Sequence, residues 1–307
     1  MDREPVSVRS YANIAIVKYW GKADAASMRP ATSSISLTLE NMFTETTLSV
    51  SDRDAFYIDG VLQDEAEQSK MSQVLDLFRK DKSVFVRIDT HNNMPTAAGL
   101  SSSSSGLSAL VKTAADFFET GLSQSELAQV AKFASGSSAR SFFGPLAAWD
   151  KDTGEIFRVQ TDLTLGMIML VLNDQKKPIS SREGMKRCVE TSTNWADWVK
   201  QSEDDYTAML QYLEANDFEK VGELTERNAL AMHATTRMAT PAFSYLTEDS
   251  YIAMERVLEL RQQGWLCYFT MDAGPNVKVL CREEDLEDLA AIFAEDYRVI
   301  VSRTKCL

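Results

Sequence analysis

The chain of 307 residues carries 45 acidic against 32 basic side chains, a formal net charge of −13, with 44% hydrophobic and 25% charged composition. Length and mix allow one large core or two smaller ones, and the acidic balance argues against nucleic acid or a membrane surface as partner, because a phosphate backbone needs a basic face. An anion could still be held by a local cluster of cations, which makes the positions of Lys and Arg informative.

The opening MDREPVSVRS has charges instead of a signal-peptide core, and LGMIMLVLN from Leu165 is too short to span a bilayer, so a cytoplasmic protein is expected. Cys188, Cys267, Cys281 and Cys306 form no CxxC and have no histidine pair nearby, which suggests ordinary thiols and neither a zinc site nor a disulfide framework. In chain order, VSVRSYANIAIV from Val6, SISLTLE from Ser34, TTLSVS from Thr46 and VFVRIDT from Val84 alternate with the period of half-buried strands. DEAEQSKMSQVLDLFRK from Asp64, SSSGLSALVKTAADFF from Ser103 and SQSELAQVAKFAS from Ser123 have helical apolar spacing behind acidic or hydroxyl-bearing starts. After the buried-looking strand at Leu165 come helical patterns from Arg182, from Trp195 through to Met232, and from Tyr251. Strands WLCYFTMD and NVKVLCR, a helix EEDLEDLAAIFAE and a strand YRVIVS follow. This is an α/β (α+β) chain in two closely packed domains, divided as 1–174 and 175–307, with no Pro/Gly-rich linker at the division. His91 ends a strand and His233 lies at a methionine-rich helix end, and neither looks catalytic; Trp195 and Trp198 fit helix packing.

NNMPTAAGLSSSSSGLSAL, beginning at Asn92, sets small residues and hydroxyls just ahead of a helix. Small residues let a backbone approach a ligand closely, and the free N–H groups of a helix start carry partial positive charge, so the geometry suits phosphate. It is no Walker A loop, since GxxxxGK[ST] is absent; a serine-rich helix cap with nothing bound is the competing reading. Other residues stand out by type and place. Lys18 lies in an apolar block, where a desolvated ammonium needs an anion. Arg140, in SSARS among small residues and Phe142, Phe143 and Gly144, offers a planar fork for a carboxylate. Ser180, Ser181 and Arg182 open a helix behind Lys176 and Lys177, joining hydroxyls, cations and a helix dipole, with Ser181 as an ordinary cap as the plain alternative. Asp272, read from spacing alone, is a turn former in D-A-G-P, Lys22 could be a solvated lysine, and Asn13 could satisfy backbone beside a strand.

Pro95 to Ser105 resembles the P-x-x-x-G-L-x-S-S phosphate motif of the small-molecule kinase superfamily named for galactokinase, homoserine kinase, mevalonate kinase and phosphomevalonate kinase (GHMP). PTAAGL, YANIAIVKYWGK from Tyr11, PATSSISLTL from Pro30, SGSSARSFFG from Ser135, KKPISSREGM from Lys176 and MDAGPNVKVL from Met271 resemble the mevalonate diphosphate decarboxylase family, over nearly the whole chain. One departure is that serines stand at Ser101, Ser104 and Ser105 where the family interleaves alanines, which leaves open which hydroxyl meets the nucleotide.

The resemblance implies a two-domain GHMP fold, with an N-terminal ribosomal-protein-S5-like domain and a helix-rich ferredoxin-like C-terminal domain. It implies ATP-dependent decarboxylation of 5-diphosphomevalonate to isopentenyl diphosphate: the 3-hydroxyl is phosphorylated, then phosphate and CO₂ are lost. By the same resemblance Asp272, Lys18 and Arg140 are catalytic, and Asn13, Tyr19, Lys22, Ser135, Ser137, Arg140 and Ser181 bind substrate. Pro95, Ala98, Gly99, Leu100, Ser101, Ser102, Ser103 and Ser104 would hold ATP, with Ser103 on Mg²⁺. A homodimer is implied by resemblance only. The rival readings are a kinase of mevalonate or phosphomevalonate, a decarboxylase of the monophosphate, and an inactive relative that only binds nucleotide or a protein.

Overall fold

The computed structural model describes residues 3–24, 27–94, 102–175 and 178–307. Its first half contains β1 (Val6–Val17), β2 (Lys22–Asp24), β3 (Arg29–Pro30), β4 (Ser34–Ser51), β5 (Ala55–Ile58), β6 (Val61–Leu62), α1 (Glu65–Leu75), β7 (Phe85–Asn92), α2 (Ser102–Phe117), α3 (Gln124–Ala134), a 3-10 helix (Gly136–Phe142), β8 (Leu146–Trp149) and β9 (Ile156–Arg158). The second holds β10 (Leu165–Val171), α4 (Ser181–Thr191), α5 (Trp195–Glu214), α6 (Phe218–Arg237), α7 (Glu248–Gln262), β11 (Cys267–Met271), β12 (Val277–Arg282), α8 (Leu286–Ala294) and β13 (Arg298–Arg303). Among the described residues no helix is long and apolar enough to cross a membrane.

The long strand β4 organises a seven-stranded sheet, pairing antiparallel with β1 over most of its length, with β7 near its C-terminal end and with β8 near its start. Helix α2 packs on β1 and β4, its Leu107, Leu110, Val111 and Ala114 meeting Leu48 and Ile88 in one core. The second sheet runs β11-β12-β10-β13, antiparallel throughout. Strand β10 lies inside that sheet, so a division by sheets falls between Arg158 and Leu165 and not after residue 174 as expected. Its uninterrupted apolar run has a physical cause: Leu165, Met167 and Met169 face a core shared with β1, β4, α5 and α6, while Ile168 and Leu170 face α7 and α8.

The helical pattern expected from Trp195 to Met232 is two helices. Asn216 takes a left-handed φ of 57°, and Asp217 caps α6 by accepting from the Lys220 N–H. The C-terminal residues return to the first sheet, where the Lys305 N–H donates to the Thr38 carbonyl at 2.8 Å and Leu39 bridges Thr304. Residues 18–20 are gripped by the second half, since Trp20 Nε1 donates to Thr235 Oγ1 at 3.0 Å and Trp198 Nε1 to the Trp20 carbonyl at 3.4 Å. Trp198 and Trp195 are packing residues, as expected, and Trp195 requires glycine at 21: with φ at 101°, a Cβ there would lie 2.3 Å from the indole.

Candidate active site

Where β11 gives way to β12, Asp272 sits on a turn fixed from several sides. Its carbonyl accepts from the Gly274 N–H at 2.7 Å, Ser250 Oγ donates to the Pro275 carbonyl, and Asn276 Oδ1 accepts from the Leu172 and Asn173 N–H groups. The Asp272 side chain is therefore not the turn former; it points away and meets two ammonium groups. Lys18 Nζ donates to Oδ1 at 2.8 Å, and Lys278 Nζ lies 3.1 Å from Oδ2. Both lysines are buried, and the carboxylate retains about 22% exposure. Burial alone would raise the Asp272 pKa, but the Lys18 and Lys278 charges and hydrogen bonds hold the carboxyl far below the usual carboxylate range. Burial lowers the Lys18 ammonium to about 8, against the opposing pull of Asp272.

Lys278 is a site residue that sequence reading missed. On β12, Val277 and Val279 enter the α7/α8 core, so period-two geometry turns Lys278 to the other face, towards Lys18. The available signal was one lysine interrupting the apolar NVKVLC run.

Arg140 is buried within the 3-10 helix. Its Nε donates to Ser36 Oγ at 3.0 Å, Nη1 to Ser34 Oγ at 2.6 Å and Nη2 to Asn13 Oδ1 at 3.4 Å. A guanidinium has five N–H groups, so with three engaged two remain, one on each terminal nitrogen, in the arrangement that grips a carboxylate end-on. Burial lowers its pKa to about 10, so it stays charged at neutral pH, and among the described residues none of its hydrogen bonds goes to a carboxylate. Ser34 and Ser36 went unnoticed because both read as strand residues.

Asn13 is oriented by its amide, which donates to the Ser137 carbonyl and Ser141 Oγ at 2.9 and 2.8 Å. Ser135 and Ser137 share a hydroxyl contact at 3.2 Å. Tyr19 stacks on Trp149 at 5.4 Å, and burial raises its phenol to about 12. It fits only because residue 136 is glycine, since a Cβ there would stand 2.6 Å from the phenol oxygen. Lys22 contacts Met28 Sδ at 3.1 Å; burial and then the neighbouring Arg182 charge lower its pKa, which brings Lys22, Arg182 and Tyr19 into one cationic corner beside α4. The cap of α4 is Ser180, whose Oγ accepts from the Glu183 N–H, and Ser181 is the first helical residue. His233 is buried close to Lys18, Asp272 and Lys278, and burial, then the Lys18 charge, lower it to about 3, so it is neutral; His91 is exposed beside Asp59.

The expected ATP ligands Pro95, Ala98, Gly99, Leu100 and Ser101, the side chains of Ser102 and Ser103, and Lys176 and Lys177 lie outside the described residues. Helix α2 begins at Ser102, and beside its first turns a cavity of about 190 Å³ is lined by Phe56, Ile58, Thr90, Asn92, Gly106 and Leu107 among others. Ser104 is buried, and its carbonyl accepts from Ser108 Oγ. Among the described residues no group of three His, Cys, Asp or Glu could hold a metal.

Lys112 on α2 extends the positive cluster. It donates to Ser10 Oγ at 2.9 Å and to the Ser141 carbonyl at 3.0 Å, and burial lowers it to about 8. Between about pH 8 and 10.5 the unfolded chain holds a proton that folded Lys112 has lost, so this residue's contribution to stability rises with pH. The melting midpoint of the native protein is therefore expected to climb relative to that of Lys112→Met over that window. The buried thiols of Cys267 and Cys281, raised by burial, act oppositely but equally in both proteins. A constant gap between the two melting curves would refute the assignment.

Comparison with known proteins places these residues among relatives. Residues 10–156 match the diphosphomevalonate decarboxylase-like N-terminal domain, and residues 167–306 the mevalonate 5-diphosphate decarboxylase C-terminal domain. The diphosphomevalonate decarboxylase of Candida albicans is 31% identical, over 95% of this chain and 88% of its own. The structure of mevalonate pyrophosphate decarboxylase from Streptococcus pyogenes is 64% identical and superposes with a TM-score of 0.97 over 100% of this chain and 98% of that one. A structure described as MDDEF in complex with MVAPP, AMPPCP and magnesium is 38% identical, with a TM-score of 0.91 over 99% of this chain and 98% of that one.

Proposed function

This chain belongs to the mevalonate diphosphate decarboxylase family, and from that premise we propose that the Lys18–Asp272–Lys278 cluster is its reaction centre. It is an ATP-dependent decarboxylase that converts 5-diphosphomevalonate to isopentenyl diphosphate, with ADP, phosphate and CO₂, and it uses ATP with Mg²⁺. The single observation that carries the assignment of residues is the largely buried carboxylate between two buried ammonium groups, a cation excess inside an anionic protein.

The substrate is a tertiary alcohol, and hydroxide is a poor leaving group. Asp272 accepts a hydrogen bond from the 3-hydroxyl and aims its oxygen at the γ-phosphorus of ATP; as the new O–P bond forms and the bond to ADP breaks, the hydroxyl proton passes to an oxygen of the transferred phosphoryl group. Because its pKa is strongly depressed, Asp272 orients the hydroxyl and stabilises the developing charge more than it stores a proton. Lys18 and Lys278 draw negative charge from the transferring phosphoryl group. The C3–O bond then breaks with release of phosphate, and the C1–C2 electron pair becomes the C2=C3 alkene as CO₂ leaves. Positive charge that builds at C3 faces Asp272. Arg140, with its two remaining N–H groups, holds the C1 carboxylate, Asn13, Ser135 and Ser137 complete that side, and Tyr19, Lys22, Arg182 and Ser181 receive the diphosphate. The α2 cavity takes the adenosine, Mg²⁺ neutralises the phosphates, and Ser103 is the proposed hydroxyl nearest the metal.

Incubation with 5-diphosphomevalonate, ATP and Mg²⁺ is expected to release CO₂ and isopentenyl diphosphate one for one with ADP. Accumulation of a phosphorylated acid without CO₂ would replace this reading with a kinase. We place the protein in the cytoplasm, which cell fractionation tests, as a homodimer, which sedimentation tests.

A further inference from the structure

Lys18 is anchored at every polar atom. Its side chain reaches the Ala15 carbonyl at 2.7 Å and Asp272 at 2.8 Å, and its carbonyl accepts from Thr32 Oγ1 at 3.2 Å. Its main-chain N–H, which leaves β1 without a strand partner at this point, donates to Asn228 Oδ1 at 2.8 Å. Asn228 comes from α6, in the other half of the molecule, and is fully buried. Its amide nitrogen donates to Asp205 Oδ2 at 3.0 Å and more weakly to Ser202 Oγ at 3.5 Å. Asp205, on α5 and 1% exposed, gives its other oxygen to Arg227, whose outer face is open to solvent.

The direction of this relay is fixed chemically. An amide can present either its oxygen or its nitrogen, but a carboxylate accepts only. Asp205 therefore turns the nitrogen of Asn228 to itself and the oxygen to Lys18. A flipped amide would set oxygen against carboxylate and N–H against N–H, leaving buried groups unpaired.

We propose that Asn228, oriented by Asp205, is a positioning residue that fixes the Lys18 backbone so that the ammonium meets Asp272. The proposal rests on the reading of Lys18 as part of the reaction centre. An error of about 1 Å at a reacting group costs on the order of 100-fold in rate, so the relay acts on turnover and not on binding.

The test compares Asn228→Ala, Lys18→Met and the exchanged pair Asp205→Asn/Asn228→Asp in the full chain. Asn228→Ala is expected to lower kcat by about 10- to 100-fold while the KM values for ATP and 5-diphosphomevalonate stay within about threefold. The exchanged pair keeps the strong hydrogen bonds: the new amide at 205 donates to the new carboxylate at 228, which accepts from the Lys18 N–H, and the oxygen of the new amide still accepts from Arg227; only the weak 3.5 Å contact with Ser202 must reverse, its hydroxyl becoming the donor. It is expected to recover turnover to within about threefold of the native enzyme, which ties the loss to the hydrogen-bonded relay and not to either side chain alone, while the unchanged KM values of Asn228→Ala separate positioning from general damage to the fold. Native turnover in folded Asn228→Ala overturns the proposal. So does an exchanged pair that fails to fold or stays as slow as Asn228→Ala. A Lys18→Met enzyme with native turnover ends the reading of Lys18 itself, whereas a slow Lys18→Met beside a native-like Asn228→Ala ends only the role of Asn228.

Discussion

Asp272→Asn loses turnover by about 1000-fold or more, while the affinity for ATP changes little. The amide keeps the shape of the side chain and the anchored turn, because the Asp272 carbonyl and Asn276, not the carboxylate, hold that turn. What disappears is the negative charge, which otherwise accepts the hydroxyl proton's hydrogen bond and faces the charge that grows at C3. The replacement also leaves Lys18 and Lys278 buried with no anion between them. Removing one partner of a buried ion pair typically costs about 3–5 kcal/mol of stability, less where a lysine can discard its proton. The variant is therefore expected to melt lower at pH 7 and to close part of the gap near pH 9, because Lys18 already titrates at about 8. Single-turnover rates and melting curves at the two pH values read both effects. Near-native turnover in a folded Asn variant would mean the chemistry resides elsewhere.

Arg140→Gln reduces kcat/KM for 5-diphosphomevalonate by about 100- to 1000-fold and leaves the KM for ATP within a few fold. The glutamine can donate to one of Ser34 and Ser36 but cannot present two parallel N–H groups beyond them. A charge-assisted contact contributes about 1.5–3 kcal/mol, and the fork makes two. Arg140→Lys is expected to recover only a small part, since one compact ammonium cannot satisfy Ser34, Ser36 and a carboxylate together. Steady-state kinetics with each substrate varied in turn separates the outcomes; an equal loss for both substrates would show a collapsed site instead of a missing carboxylate clamp.

The strand and helix alternation was legible where side-chain period and burial agree. The stretches from Val6, Ser34, Thr46 and Val84 are strands, and the helices from Ser102 and Gln124 start within a residue or so of their hydroxyl signals. The continuity of β4 was hidden, because Glu40 and Asn41 are both exposed and the pairing with β1 slips between Tyr11 and Asn13. That bulge shifts the alternation and makes one strand of 18 residues read as two. The break at Asn216 was hidden because no Gly or Pro marks it. At the site, Lys18 bonds to Asp272 and Arg140 to Asn13, and the two pairs lie near enough for the Arg140 charge to act on Lys18 and the Asp272 charge on Arg140. Lys278, Ser34, Ser36 and Asn228 could not be found from one sequence, since each sits on a regular element whose inward face is defined only by a partner far along the chain.

The two sheets are joined through separate sets of elements. On one, Lys305 and Val301 bond to Thr38 and Asn41; on the other, α5 and α6 grip Ser33, Lys18 and Trp20 through Glu203, Asn228 and Thr235. Swinging the halves apart about either seam would tear the hydrogen bonds of the other. Such a doubly stitched body resists clamshell breathing, so the frame that aligns Lys18 and Asp272 is held from two directions before any reactant arrives.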